Sequence, residues 1–276
     1  MLLLGTLLLW PALVQARDGQ VLRDIPYVEK GEQRQRLDLY LPENGRKRPL
    51  VIWIHGGAWR GGDKAPCPAD LLTKRGYAVA CINYRLSQHA LFPAQIEDCR
   101  AAVRWLRAHA ETYGLDPDRI GAWGASAGGH LAALLGTTEG GVRVVCDLCG
   151  PTDFVRLVHQ VEAGGPLDPR RPDSPASLLL GGVWPANAEE SARASPIMNV
   201  SPGDAPTFIL HGDKDPIVPV EQSRSFFKAL KDAGVEAQLQ VLPGAGHGGP
   251  EFLEPRILES LLRFFDRHLK GRPAGK

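Results

Sequence analysis

Arg119-Ile120-Gly121-Ala122-Trp123-Gly124-Ala125-Ser126-Ala127-Gly128-Gly129-His130-Leu131-Ala132 is the stretch from which the fold can be read. Its first five residues make a short apolar run of the kind that fills a buried strand, and from Ser126 small and apolar residues continue as a helix to about residue 135. Between the two, Gly124 and Gly128 flank Ser126 in a GxSxG turn. A strand that turns sharply into a helix strains the backbone at the turn, and side chains at the flanking positions would collide with the neighbouring strand or helix. Such a turn presents its serine as an exposed nucleophile. The competing use of a glycine-rich turn is to cradle a nucleotide phosphate, but neither GxGxxG nor GxxxxGK followed by Ser or Thr can be read here.

The alternation of short apolar runs with helical stretches extends in both directions, as in a buried parallel sheet with crossover helices. Apolar runs fall at residues 50–54, 77–82, 119–123, 142–148, 207–210 and 237–242, and helices at 69–74, 93–113, 126–135, 220–233 and 251–269. Ahead of them, residues 21–29 and 36–41 read as two antiparallel strands, the second alternating Leu37, Leu39 and Leu41 with Asp38 and Tyr40. Residues 150–204 break the pattern. They are rich in Pro, Gly, Arg and Ser, with short helical pieces only around 176–180 and 187–193, and read as a small insertion between strands 6 and 7 that walls a site. The expected fold class is α/β, a mostly parallel sheet of eight strands flanked by helices.

With 276 residues, 43% hydrophobic and 23% charged, the chain can bury a large core and is too apolar for intrinsic disorder. Lys plus Arg total 32 against 31 Asp plus Glu, with no run of like charge, which argues against nucleic acid as a partner. Residues 2–14 are almost wholly apolar and end in Val14-Gln15-Ala16, a small-x-small pattern, so residues 1–16 read as a signal peptide and 17–276 as one catalytic domain. The apolar stretch is shorter than the roughly 20 residues a bilayer span needs. A secreted or periplasmic protein is expected, with a mature N-terminus at Arg17 and no stable membrane association after cleavage.

Five cysteines leave at least one unpaired. Cys99 lies on the helical stripe Ile96, Cys99, Val103, Leu106, Ala110 and reads as a buried thiol. Cys146 and Cys149 form a CxxC at a strand end rather than a helix start, which argues against redox chemistry, and a metal would need a second pair. Cys67, in a Pro-rich loop, is the candidate for a bridge, without an assigned partner.

Acyl transfer places negative charge on a carbonyl oxygen, and a glycine-lined loop can bring backbone N–H groups against it. His55-Gly56-Gly57-Ala58-Trp59 follows the apolar run 50–54 and is such a loop. Gly57 and Ala58 are the expected oxyanion donors from it, with Ala127 after the nucleophile; Trp59 is the alternative to Ala58. A base and its orienting acid are expected after later strands, in the order Ser, acid, His. His211-Gly212-Asp213-Lys214-Asp215 and Gly244-Ala245-Gly246-His247-Gly248 supply them, giving Ser126, Asp215 and His247 as the catalytic set. Asp213 reads instead as a residue that ties the turn, while Asp153, after the preceding strand, is the rival acid. His55 reads as a brace for its loop, and His130 and His211 as structural.

Together these motifs, with Asn83-Tyr84-Arg85-Leu86, Phe92-Pro93-Ala94-Gln95, Asp116-Pro117-Asp118-Arg119-Ile120 and Gly129-His130, resemble α/β-hydrolase esterases. The resemblance covers about residues 21–269 and is to secreted bacterial esterases related to bifunctional acetyl-xylan/feruloyl esterases, and more distantly to hormone-sensitive-lipase-like carboxylesterases. Ala58 departs from the third glycine common in the lipase relatives, and it keeps its N–H. The resemblance implies a serine carboxylesterase without cofactor or metal. It would remove short acyl groups, acetyl or feruloyl, from polysaccharide or other small esters through an acyl-enzyme. The alternatives are a peptidase or amidase of prolyl-oligopeptidase or formamidase type, and an inactive scaffold used for binding. The insertion 150–204 holds few large apolar residues, which suits a shallow wall for a sugar rather than a lipid tunnel, with Trp59 or Trp184 as a stacking face or as core. Oligomeric state is left open.

Overall fold

A computed structural model describes residues 19–43 and 45–271, so the expected leader and its cleavage site at Arg17 lie outside the described residues. The strands are β1 (Val21–Pro26), β2 (Arg36–Tyr40), β3 (Arg48–Ile54), β4 (Ala78–Ile82), β5 (Leu115–Ala125), β6 (Val144–Leu148), β7 (Thr207–Gly212) and β8 (Ala237–Leu242). They form one sheet in the order β1-β2-β4-β3-β5-β6-β7-β8. The pairs β1–β2 and β2–β4 are antiparallel, and every pair from β4 through β8 is parallel. Central strands are buried on both faces and therefore read as continuous apolar runs, as Leu50-Val51-Ile52-Trp53-Ile54 does. Trp53 and Trp123 are register neighbours on β3 and β5, and their rings meet edge to face at 5.1 Å.

The helices are α1 (Ala94–Ala108), α2 (Ala110–Tyr113), α3 (Ala127–Thr137), α4 (Phe154–Gln160), α5 (Pro175–Leu180), α6 (Ala188–Arg193), α7 (Val220–Asp232) and α8 (Pro255–Phe265). The stripe Ile96, Cys99, Val103, Leu106, Ala110 is buried against the sheet, as its spacing predicts. The single helix expected over 93–113 is divided at His109, whose Nδ1–H reaches Trp105 O at 2.8 Å and whose ring stacks on Trp105. The last helix is also shorter than expected. Pro255 disfavours helical backbone at Glu254, so a single turn at Pro250–Leu253 precedes α8, and a wider turn, Asp266–Lys270, follows it. In the insertion, α5 and α6 fall where short helices are expected, while α4 and the turn Pro196–Asn199 are additional.

Several of the quoted motifs turn out to be braces between the entering chain and the first parallel strands. Arg85 grips Asp98 through Nη2 at 2.8 Å and Nε at 3.0 Å, and Gln35 Nε2 donates to the same carboxylate at 2.7 Å. Asn83 accepts from Lys64 N at 2.7 Å and donates to Asp63 Oδ2 at 3.0 Å. Cys67 is disulfide-bonded to Cys81 of β4, which settles the partner that spacing left open; both side chains belong to the same buried layer. Cys99, Cys146 and Cys149 are free and buried. Among the described residues, no helix is long and apolar enough to cross a membrane.

Candidate active site

The turn from β5 into α3 is closed by backbone-to-backbone contact. A Cβ on Gly124 would lie 2.1 Å from Gly128 O, and one on Gly128 would lie 2.0 Å from Ile54 O, so both positions exclude any side chain. Ser126 sits between them at φ 55° and ψ −119°, a strained conformation for a residue with a side chain. Its N–H donates to Leu148 O at 2.7 Å, which ties the turn to the end of β6. The side chain remains partly exposed.

Asp215 and His247 come to this serine from the loops after β7 and β8. Ser126 Oγ lies 2.8 Å from His247 Nε2, and His247 Nδ1 lies 2.6 Å from Asp215 Oδ2. Asp215 Oδ1 accepts from Ile217 N at 2.8 Å and Val218 N at 2.9 Å, which fixes the carboxylate plane. Burial disfavours its charge, but hydrogen bonds from His211 and His247 and from the Val218 N–H outweigh burial and hold the carboxyl well below the usual range. The carboxyl is therefore ionised at neutral pH.

The His211 contact is the feature the sequence reading missed. Its Nε2 faces two acceptors, Val218 O at 2.9 Å and Asp215 Oδ2 at 3.2 Å, so it carries a proton, while Nδ1 accepts from the Ser223 hydroxyl at 2.7 Å. The four-residue spacing from His211 to Asp215 was visible, but a strand end followed by an irregular turn has no fixed periodicity from which to infer contact. The rival acids are otherwise engaged. Asp153 accepts from Arg156 N at 2.9 Å as the N-cap of α4, and Asp213 Oδ1 accepts from Gly244 N at 2.7 Å, tying two loops together.

The His55–Trp59 loop lies against the serine: a Cβ on Gly56 would stand 3.3 Å from Ser126 Cβ. Gly57, Ala58 and Trp59 all have positive φ (108°, 53° and 57°), and the turn is closed by Arg60 N and Gly61 N donating to Gly57 O at 3.0 Å. Among the described residues, the N–H groups of Gly57 and Ala58 have no hydrogen-bond acceptor. Ala127, the first residue of α3, has an N–H that its own helix cannot use. The Trp59 N–H likewise has no acceptor among the described residues, so Ala58 and Trp59 both remain free to donate beside Gly57 and Ala127. Trp59 is only 1% exposed and donates Nε1–H to His130 Nδ1 at 3.2 Å, so it is core and cannot stack on a substrate. Beside Ala58 opens a cavity of about 550 Å³ walled by Arg60, Ser87 and Gln88 and, from α5, by Pro175 and Leu178. Trp184 is half-buried and is not among the residues of that wall.

His55 and His130 brace the loop as neutral rings. Arg34 Nη2 donates to His55 Nε2 at 3.1 Å, so His55 Nδ1–H is the donor to Gly56 O at 2.7 Å. His130 accepts from Trp59 and donates Nε2–H to Ala194 O at 2.7 Å. Burial lowers both rings to about 4. Folded His55 and His130 therefore bind fewer protons than the unfolded chain between about pH 4 and 6.5, so each contributes stability that is lost as pH falls through that window. Asp147 works the other way, because burial raises it to about 6 and the folded state holds the extra proton. His268, also lowered by burial, adds to the two rings, so the unfolding free energy should fall as the pH drops from about 6 to about 4.5. Urea midpoints across that range check the sign; midpoints that rise on acidification would contradict it.

The BD-FAE family model matches residues 37–230, a span that holds the His55–Trp59 loop, the Ser126 turn and Asp215. The chain belongs to the BD-FAE family. Esterase LipQ of Mycobacterium tuberculosis is 33% identical over 244 residues, covering 81% of this BD-FAE chain and 56% of its own length. The chain spans about half the length of the curated relatives it matches. Among solved structures, a truncated carbohydrate esterase from gut microbiota is similar at TM-score 0.84 and 30% identity, covering 92% of this chain and 99% of its own. The bifunctional GH43-CE protein of Bacteroides eggerthii is similar at TM-score 0.82 and 32% identity over 90% of this chain and 35% of its own. The fold is that of the α/β-hydrolase esterases, as the sequence resemblance implies.

Proposed function

We propose that this BD-FAE chain is a serine carboxylesterase that removes short acyl groups, acetyl or feruloyl, from carbohydrate or related esters. The observation that carries it is the hydrogen-bonded line Asp215, His247, Ser126, at 2.6 and 2.8 Å, ending on a serine held at positive φ. Ser126 Oγ attacks the ester carbonyl while His247 Nε2 takes its proton, and Asp215 holds Nδ1–H and balances the imidazolium. The carbonyl oxygen becomes an oxyanion facing the N–H groups of Gly57, Ala58 and Ala127. His247 returns the proton to the leaving alcohol, and water then releases the acid from Ser126 by the same steps reversed.

The cavity beside Ala58 supports a small, partly polar substrate. Arg60, Ser87 and Gln88 offer hydrogen bonds, and Leu178, 36% exposed, and Pro175 offer a short apolar face. Each CH2 buried contributes only about 0.8 kcal/mol, so such a wall rewards few of them. With p-nitrophenyl esters, kcat/KM should peak at acetate or butyrate and fall steeply by octanoate, and acetylated xylan should release acetate. A peak at long chains would replace this reading with a lipase, and turnover confined to peptide amides would replace it with a peptidase.

Export is part of the proposal. A disulfide such as Cys67–Cys81 persists in oxidising compartments, in keeping with the apolar leader. Mass spectrometry of protein from a secreting host should find Arg17 at the N-terminus; Met1 retained in the membrane fraction would point to an anchor.

A further inference from the structure

Cys149 has no part in the proposed reaction, yet its thiol lies against the residues that do. It follows β6 at φ 46°, with its N–H donated to Leu210 O at 2.9 Å, so the backbone fixes where the side chain emerges. Cys149 Sγ, a carboxylate oxygen of Asp215 and a ring nitrogen of His247 all lie within 4.8 Å of one another. Thiolate, carboxylate and imidazole are the side-chain donors that zinc-like ions select, three of them with a fourth position open to water. Bond lengths of about 2.0–2.3 Å put such donors about 3.3–3.7 Å apart around a tetrahedral ion, so the Asp215–His247 pair, now at 2.6 Å, opens while the thiol closes in. One thiolate and one carboxylate also cancel the charge of a divalent ion, leaving a neutral assembly that a buried position tolerates. Magnesium and calcium, which require six or more oxygen ligands, do not fit.

We propose that Cys149, Asp215 and His247 form an inhibitory site for a thiophilic divalent cation of the zinc or cadmium type. The ion enters on the side where the His247 ring is 16% exposed and replaces the proton shared by Nδ1 and Asp215 Oδ2. Bonds form from the metal to Sγ, Oδ2 and Nδ1. The S–H proton leaves to solvent, and the Nδ1 proton is exchanged for one on Nε2, so the imidazole stays neutral. His247 then presents N–H rather than a lone pair to Ser126, and the serine has no base. The inhibitory consequence rests on the proposed role of His247; occupancy of the site does not.

Cadmium ion is the probe, because a cadmium–thiolate bond gives an ultraviolet charge-transfer band. With Ser126→Ala protein, one cadmium per chain should bind with that band, and the band should vanish in Ser126→Ala/Cys149→Ser. With active protein, cadmium and zinc should suppress p-nitrophenyl acetate hydrolysis reversibly with EDTA, magnesium should not, and Cys149→Ser should keep its activity and need at least about tenfold more cadmium. An unchanged band in the double variant, or unchanged sensitivity in Cys149→Ser, overturns the site. A chain that hydrolyses no ester overturns the proposed function instead, and the band still decides the site.

Discussion

Ser126→Ala should lose about 10⁵-fold or more in kcat on p-nitrophenyl acetate while keeping its melting temperature within a few degrees. The substitution removes the atom that attacks, and neither the buried Cys149 thiol nor the buried Ser223 hydroxyl, which is turned to His211, can replace it. The fold should be unaffected, because the strained turn is held by the Ser126 N–H to Leu148 O bond and by Gly124 and Gly128, none of which needs the hydroxyl. His247→Ala should cost a similar factor. The double variant should be no worse than either single one, since nucleophile and base act as a unit. Single-turnover kinetics with active-site titration measures all three; losses that multiply would mean that Ser126 and His247 do not act on the same step.

The second large effect separates two buried acids. Asp215→Asn should lower kcat by about 10⁴-fold, because an amide can donate to Nδ1 and so favour the wrong imidazole tautomer, and it cannot balance the imidazolium. Asp153→Asn should change kcat by less than about threefold, since asparagine caps α4 as well as aspartate does. Asp153→Ala should instead cost about 1 kcal/mol of stability. The reverse ranking in kcat would move the orienting role to Asp153.

How much of this was legible in the sequence depended on how local the cause was. The Ser126 turn, the alternating runs and the position of the insertion follow from short-range sterics and periodicity, and the structure has each of them where expected. Asp215 and His247 could be placed after successive strands, since parallel strands end at one edge of the sheet. The misses were set by contacts between distant segments. Cys81 reads as one more apolar residue of a strand until β4 is laid beside the loop that carries Cys67. Trp59 reads equally as a stacking face or as core until His130 and Phe154 are seen to close over it. The α4 helix starts at a cap whose surroundings, Gln222 of α7 and Ser195, come from other parts of the chain. Helix ends were displaced for local reasons that periodicity does not weigh, a proline at 255 and a histidine at 109 whose ring hydrogen-bonds the Trp105 carbonyl.

The central claim is that His247 and Asp215 make Ser126 a nucleophile. Treatment with a fluorophosphonate, followed by peptide mass spectrometry, tests it without any choice of substrate. The account predicts one adduct per chain, on Ser126, formed rapidly in the wild type and at least about 10³-fold more slowly in His247→Ala. Absence of labelling in folded wild-type protein, an adduct on another residue, or equal labelling rates in wild type and His247→Ala would contradict it.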